Sequence, residues 1–240
     1  MTLYIFDMDG TLTDPGLPMK ADFAAIFHRW QQTHQSFIAT GSMYDKVAKQ
    51  LESKVLNSFT GIYTSMGNEL YARGRIVYQK KFAAQPLLYQ KLEGYRKNTT
   101  YPGELYPNYI EERPGMINFS VLGRNCPQAA RLKYTAWDNI SKEREKILAE
   151  LTGLFPQYDI AIGGTISLDI TPKGCGKEQI ASRLRKQYPD QKIIFVGDKT
   201  LPGGNDYKLA HELSLMPDTE VVQVNNINDV LNFLARDCDT

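Results

Sequence analysis

Apolar residues recur along this chain in two rhythms. Short unbroken runs, Leu3-Tyr4-Ile5-Phe6, Ser36 to Ala39 and Lys192-Ile193-Ile194-Phe195-Val196, read as strands buried on both faces. Between them, Asp22 to Gln32 and Tyr44 to Glu52 carry helical spacing, and Val221 to Val224 predicts a last strand before a helical tail over Ile227 to Ala235. Strands alternating with helices predict a doubly wound α/β sheet of parallel strands. The middle has another character: Phe82 to Asn98 is helical in pattern, Gly115 to Leu122 alternates like an antiparallel strand, and Ser141 to Leu154 reads as a charged amphipathic helix. Mixed α+β content inside an α/β chain predicts an inserted domain, 82–172, within a core of 1–81 and 173–240.

The predicted strands end in polar, turn-forming loops, and the chemistry gathers there. Asp7-Met8-Asp9-Gly10-Thr11 follows the first strand and puts two carboxylates two residues apart on one loop. A carboxylate is already ionised near neutral pH and can attack phosphorus, while a second one beside it can give and take a proton. Thr40-Gly41-Ser42 ends the second strand, and Gly197-Asp198 closes the run from Lys192. His28, His34 and His211 have no partner at ligand spacing, so zinc is not expected.

Composition narrows the partners. The 240 residues are 42% hydrophobic, enough to fill a core, and 28 basic side chains nearly balance 27 acidic ones, so no overall field favours nucleic acid or an anionic membrane. A small-molecule substrate is expected. No apolar run is long enough to span a bilayer, and Asp7 and Asp9 interrupt the N-terminal one, so a cytoplasmic protein is expected. Cys126, Cys175 and Cys238 are far apart and odd in number, which predicts reduced thiols.

With Asp7, Asp9 and Thr11 in an Asp-x-Asp-x-Thr pattern after the first strand, the chain resembles the haloacid dehalogenase superfamily of phosphotransferases. That resemblance implies a Rossmann-like core with an inserted cap and an aspartyl-phosphate on Asp7. It gives Asp9 the acid–base role and Thr40 a phosphoryl-oxygen contact. Lys177, with Lys173 as second choice, would neutralise the phosphoryl group, and Asp198 would join Asp7 and the backbone carbonyl of Asp9 around Mg2+. Gly197-Asp198-Lys199-Thr200-Leu201-Pro202-Gly203-Gly204-Asn205-Asp206 narrows the likeness to the eukaryotic-type phosphomannomutases. Arg113-Pro114-Gly115-Met116-Ile117-Asn118, Gly123-Arg124-Asn125-Cys126 with Arg131, and Gly163-Gly164-Thr165-Ile166-Ser167-Leu168-Asp169 are similar to that family too. By that resemblance Arg113, Arg124 and Arg131 bind the distal phosphate of a hexose phosphate, Ser167 and Asp169 contact the sugar, and the cap forms a homodimer. Guanidinium forks suit phosphate, and a hydroxyl with a carboxylate suits sugar hydroxyls.

Two positions depart from the family pattern. Gly16 stands where a core-side arginine aligns, and Tyr207-Lys208-Leu209-Ala210-His211 lacks the acid of a second cation loop. Three readings result: a mutase, a phosphatase in which water attacks the aspartyl-phosphate, and a sugar-phosphate sensor without turnover. A sensor would be expected to lack the nucleophile or the general acid, and both are present.

Overall fold

A computed structural model describes residues 2–237 and divides the chain into two compact units. One runs to Gln79 and resumes at Cys175; the other is Lys80–Gly174. Cys238 lies outside the described residues.

The first unit is built on a seven-stranded sheet: β1 (Thr2–Phe6), β2 (Gln35–Ala39), β3 (Gly61–Thr64), β4 (Glu69–Ala72), β5 (Arg75–Gln79), β10 (Lys192–Gly197) and β11 (Thr219–Gln223), in the order β11-β10-β1-β2-β3-β4-β5. The strands from β11 to β3 are parallel, and β4 and β5 continue the edge antiparallel. Strict alternation explains the unbroken apolar runs. Tyr4, Phe6, Ile38, Ile194 and Val196 face a cluster that includes α1 (Ala21–Gln31), α3 (Ser53–Ser58) and α9 (Ile227–Asp237). Leu3, Ile5, Phe37, Ile193 and Phe195 face the other, with α7 (Gln179–Gln187) and α8 (Tyr207–Ser214). A strand covered by helices on both sides has no polar face to show. Phe6 pairs in register with both Val196 and Ile38, so the loops after β1, β2 and β10 leave the sheet side by side. That edge is where an open α/β sheet places its ligands.

The second unit has a four-stranded antiparallel sheet, β6 (Ile110–Arg113), β7 (Met116–Phe119), β9 (Ser167–Pro172) and β8 (Tyr158–Gly163), in that order. Three helices accompany it: α4 (Pro86–Lys97), α5 (Gln128–Ser141) and α6 (Glu143–Leu154). One face of the sheet, with Ile117, Phe119, Leu168 and Ile170, packs into an apolar core with Leu88, Tyr134, Ile147 and Leu151 from the helices. The predicted helix from Ser141 begins two residues later, because Ser141 ends α5 and Lys142 turns the corner in a left-handed conformation (φ 58°). Among the described residues no helix is long and apolar enough to cross a membrane.

Candidate active site

Asp7 follows directly on β1 and is nearly buried. Its Oδ1 accepts a hydrogen bond from Lys177 Nζ at 2.5 Å, and the same ammonium donates to Asp206 Oδ1 at 2.5 Å. Lys177 is fully enclosed, and although burial opposes its charge, the two carboxylates hold it protonated, with its pKa raised. Lys173, the second choice from sequence, is exposed in the other unit. Burial pushes the Asp7 carboxyl up to about 7, and repulsion from Asp206 adds to this against the pull of Lys177. Asp198, just past β10, is also raised, first by burial.

Carboxylate oxygens of Asp7, Asp198 and Asp206 lie within 4.8 Å of one another. Three carboxylates against two ammoniums, Lys177 between Asp7 and Asp206 and Lys199 at 3.4 Å from Asp198 Oδ2, leave a net negative charge, and Asp198 Oδ1 is buried with no hydrogen-bond partner among the described residues. An all-oxygen donor set with this charge fits Mg2+. Asp206 was absent from the sequence-derived ligand set. It reaches the cluster because its loop folds back: its amide donates to the Lys199 carbonyl, and Lys199 N–H donates to Asp206 Oδ2.

Asp9 is turned to other partners. Its Oδ2 receives Lys46 Nζ at 2.6 Å and Ser42 Oγ at 3.3 Å, and its Oδ1 receives Gly16 N–H at 2.8 Å and Gln50 Nε2 at 3.1 Å. Burial opposes ionisation, but Lys46 and these donors outweigh it and hold Asp9 below the usual carboxylate range. Lys46 and Gln50 sit one turn apart on α2 (Tyr44–Gln50), which aims both at the first loop. Sequence reasoning missed both, because an i,i+4 polar pair on a short helix also reads as a solvated face. Thr40 follows directly on β2, and its Oγ1 accepts a hydrogen bond from Ser42 N–H at 3.1 Å.

Gly10 fits this loop for steric reasons. Its φ is +102°, and a Cβ there would lie 2.4 Å from Asp198 Oδ2. Gly10→Ala should therefore cost about 1–3 kcal/mol in strain, and by displacing Asp198 it should lower turnover about a hundredfold. Thermal melts and steady-state rates on one preparation check both.

Of the predicted residues of the second unit, Arg113 lies on β6 and Ser167 and Asp169 on β9, while Arg124 stands in the loop after β7 and Arg131 in the first turn of α5. Glu111 on β6 accepts hydrogen bonds from Arg113 Nε at 2.8 Å and from Arg113 Nη2, and lies 3.6 Å from Arg124 Nε. Arg124 Nη1 reaches Ser167 Oγ at 3.5 Å, and Asn118 Nδ2 donates to both Ser167 Oγ (3.1 Å) and Asp169 Oδ1 (2.6 Å). Burial first, then the nearby charges of Arg113 and Arg131, push the Arg124 guanidinium down, while Glu111 and Asp169 oppose this. Arg113 and Arg131 thus both lie close enough to act on Arg124.

Comparison with known proteins bears on the family and the fold. A phosphomannomutase of Spinacia oleracea is 32% identical over 216 residues, covering 85% of this chain and 84% of the relative. One of Drosophila melanogaster is 32% identical over 224 residues, with 86% and 85% covered. Among solved structures, a haloacid dehalogenase-like hydrolase from Bacteroides thetaiotaomicron shares the fold, with a TM-score of 0.62 at 15% identity over 98% of each chain. Residues 23–234 match the profile of eukaryotic phosphomannomutases, and the chain is an enzyme that belongs to the eukaryotic phosphomannomutase family.

Proposed function

We propose that the protein interconverts mannose 1-phosphate and mannose 6-phosphate through an aspartyl-phosphate on Asp7, with Mg2+ held by Asp7, Asp198, Asp206 and the carbonyl of Asp9. The observation that carries this reading is the arginine set: Arg113 and Arg131 both lie close enough to act on Arg124, and three guanidiniums in the inserted unit are more than a generic phosphatase lid needs and suit a second phosphate. Mg2+, when bound, would offset the repulsion between the Asp7 carboxylate and the phosphoryl oxygens.

The chain's own groups divide the work. Lys177 holds Asp7 Oδ1, which leaves Oδ2 to attack phosphorus, and Thr40 contacts a phosphoryl oxygen. A mutase rests as the aspartyl-phosphate, so its first step is attack by a sugar hydroxyl on that phosphorus. The Asp7–phosphorus bond breaks, and Asp9 takes the hydroxyl proton. That step needs Asp9 ionised, which is the state Lys46, Gly16 and Gln50 favour. Both Asp9 oxygens already have two donors each, so proton uptake must displace one of them. In the reverse half-reaction the same proton returns to the leaving sugar oxygen. Exposed apolar side chains on α5, Leu132 and Ile140, support pairing of two copies through the inserted unit.

A phosphatase reading is favoured by one position. Gly16 gives Asp9 a backbone N–H where the family's arginine would meet substrate, so the core side lacks one phosphate contact. The metal tests the shared chemistry. Isomerisation of mannose 1-phosphate, primed with glucose 1,6-bisphosphate, should stop in chelator, return with Mg2+ and be antagonised by Ca2+, which accepts looser geometry than in-line transfer can use. Full activity in chelator would contradict it.

A further inference from the structure

We infer that Asn118 is an additional specificity-determining residue, whose amide oxygen accepts a hydrogen bond from a hydroxyl of the sugar. This rests on the hexose-phosphate reading above. Asn118 lies in the middle of the polar sheet face: β-pairing sets it opposite Glu111 on one side and Asp169 on the other. It is 2% exposed. Its Nδ2 donates to Asp169 Oδ1 and to Ser167 Oγ. The reverse amide orientation would set an oxygen against the Asp169 carboxylate at 2.6 Å, so the network fixes which end is nitrogen.

That leaves Asn118 Oδ1 buried without a hydrogen-bond partner among the described residues. An acceptor kept dry and unpaired costs stability, and a site that supplies a donor only when its ligand arrives recovers the loss as selectivity. Ser167, the hydroxyl assigned to the sugar by resemblance, is in the opposite condition. It donates to the Gly163 carbonyl at 2.7 Å and accepts from Asn118 and Arg124, so its donor and both lone pairs are engaged. Ser167 therefore reads substrate only if Arg124 lets go, whereas Asn118 has an oxygen to offer. The charge around it selects the ligand. Next to the Asp169 carboxylate an anionic group would be repelled, so a neutral hydroxyl fits at Asn118 and the phosphate belongs with the guanidiniums.

The test pairs protein variants with substrate analogues. Wild type, Asn118→Ala and Asn118→Ser are assayed on hexose 1-phosphate and on its 2-, 3- and 4-deoxy analogues, with circular dichroism confirming the fold. The serine variant can still donate to Asp169 but lacks the amide oxygen, which keeps the test open if alanine fails to fold. Wild type should lose about tenfold in kcat/KM on one of the analogues, and the same analogue should lose less than about threefold in either variant. Penalties that persist unchanged in the variants would mean that Asn118 only braces Ser167 and Asp169, and would overturn the inference alone. A wild-type enzyme indifferent to every analogue would overturn the sugar reading together with it.

Discussion

Asp7→Asn should abolish turnover while leaving the protein folded. The amide keeps the side chain's shape but is a poor nucleophile and a weaker cation ligand, and Lys177 retains Asp206 as its partner. Loss of a covalent nucleophile costs many powers of ten, so a residual rate above about a thousandth of wild type would contradict the covalent mechanism. The same variant carries a stability signature. The Asp7 carboxyl is raised from the usual 3.8 to about 7, so the folded state binds the extra proton between those values and stability is lost as pH rises through that window. Asparagine has nothing to ionise there. In chelator, the melting temperature of Asp7→Asn should fall less than that of wild type between pH 5 and pH 8, although Asp198 contributes in both. A steeper fall in the variant would show that the buried carboxylate is a net support to the fold.

Arg124→Ala should separate the two enzymatic readings. If Arg113, Arg124 and Arg131 hold the non-reacting phosphate, removing one guanidinium deletes charge-assisted hydrogen bonds worth roughly 1.5–3 kcal/mol each, and a bidentate contact then implies on the order of a hundredfold loss on the hexose phosphate. A small ester such as p-nitrophenyl phosphate has no second phosphate to lose, and Asp7, Asp198, Asp206 and Lys177 lie in the other unit, so its rate should change little. Equal losses on both substrates would mean that Arg124 acts by supporting the sheet. Its 3.5 Å contact to Ser167 and its ion pair with Glu111 make that a real alternative to exclude.

The core was the legible part, for a physical reason. A strand buried on both faces must be apolar throughout, so β1, β2 and β10 announce themselves, and the acid or hydroxyl that ends each run stands out against it. Edge strands give no such signal. β5 exposes Ile76 and Val77 and β4 is only half-buried beyond Glu69, so 69–79 shows no clean alternation. The predicted strand at Gly115 to Leu122 shrinks to Met116–Phe119 because Gly115 takes a positive φ of 66° in the turn before it.

At the site, the residues missed are those whose role depends on a fold-back. Asp206 is eight positions past Asp198 and becomes a third acid only when its loop closes on Lys199. Lys46 and Gln50 meet Asp9 across more than thirty residues of chain, a separation no local pattern encodes. Glu111 and Asn118 become part of the polar face only through sheet register, since β6, β7 and β9 bring 111, 118 and 169 into one row.

The most direct measurement follows both products at once. Protein, Mg2+ and mannose 1-phosphate are mixed with a catalytic amount of glucose 1,6-bisphosphate, and mannose 6-phosphate and free phosphate are quantified over the same time course. A mutase built on Asp7 predicts mannose 6-phosphate rising to equilibrium with little phosphate released. Phosphate released without mannose 6-phosphate would contradict it and leave a sugar-phosphate phosphatase in its place.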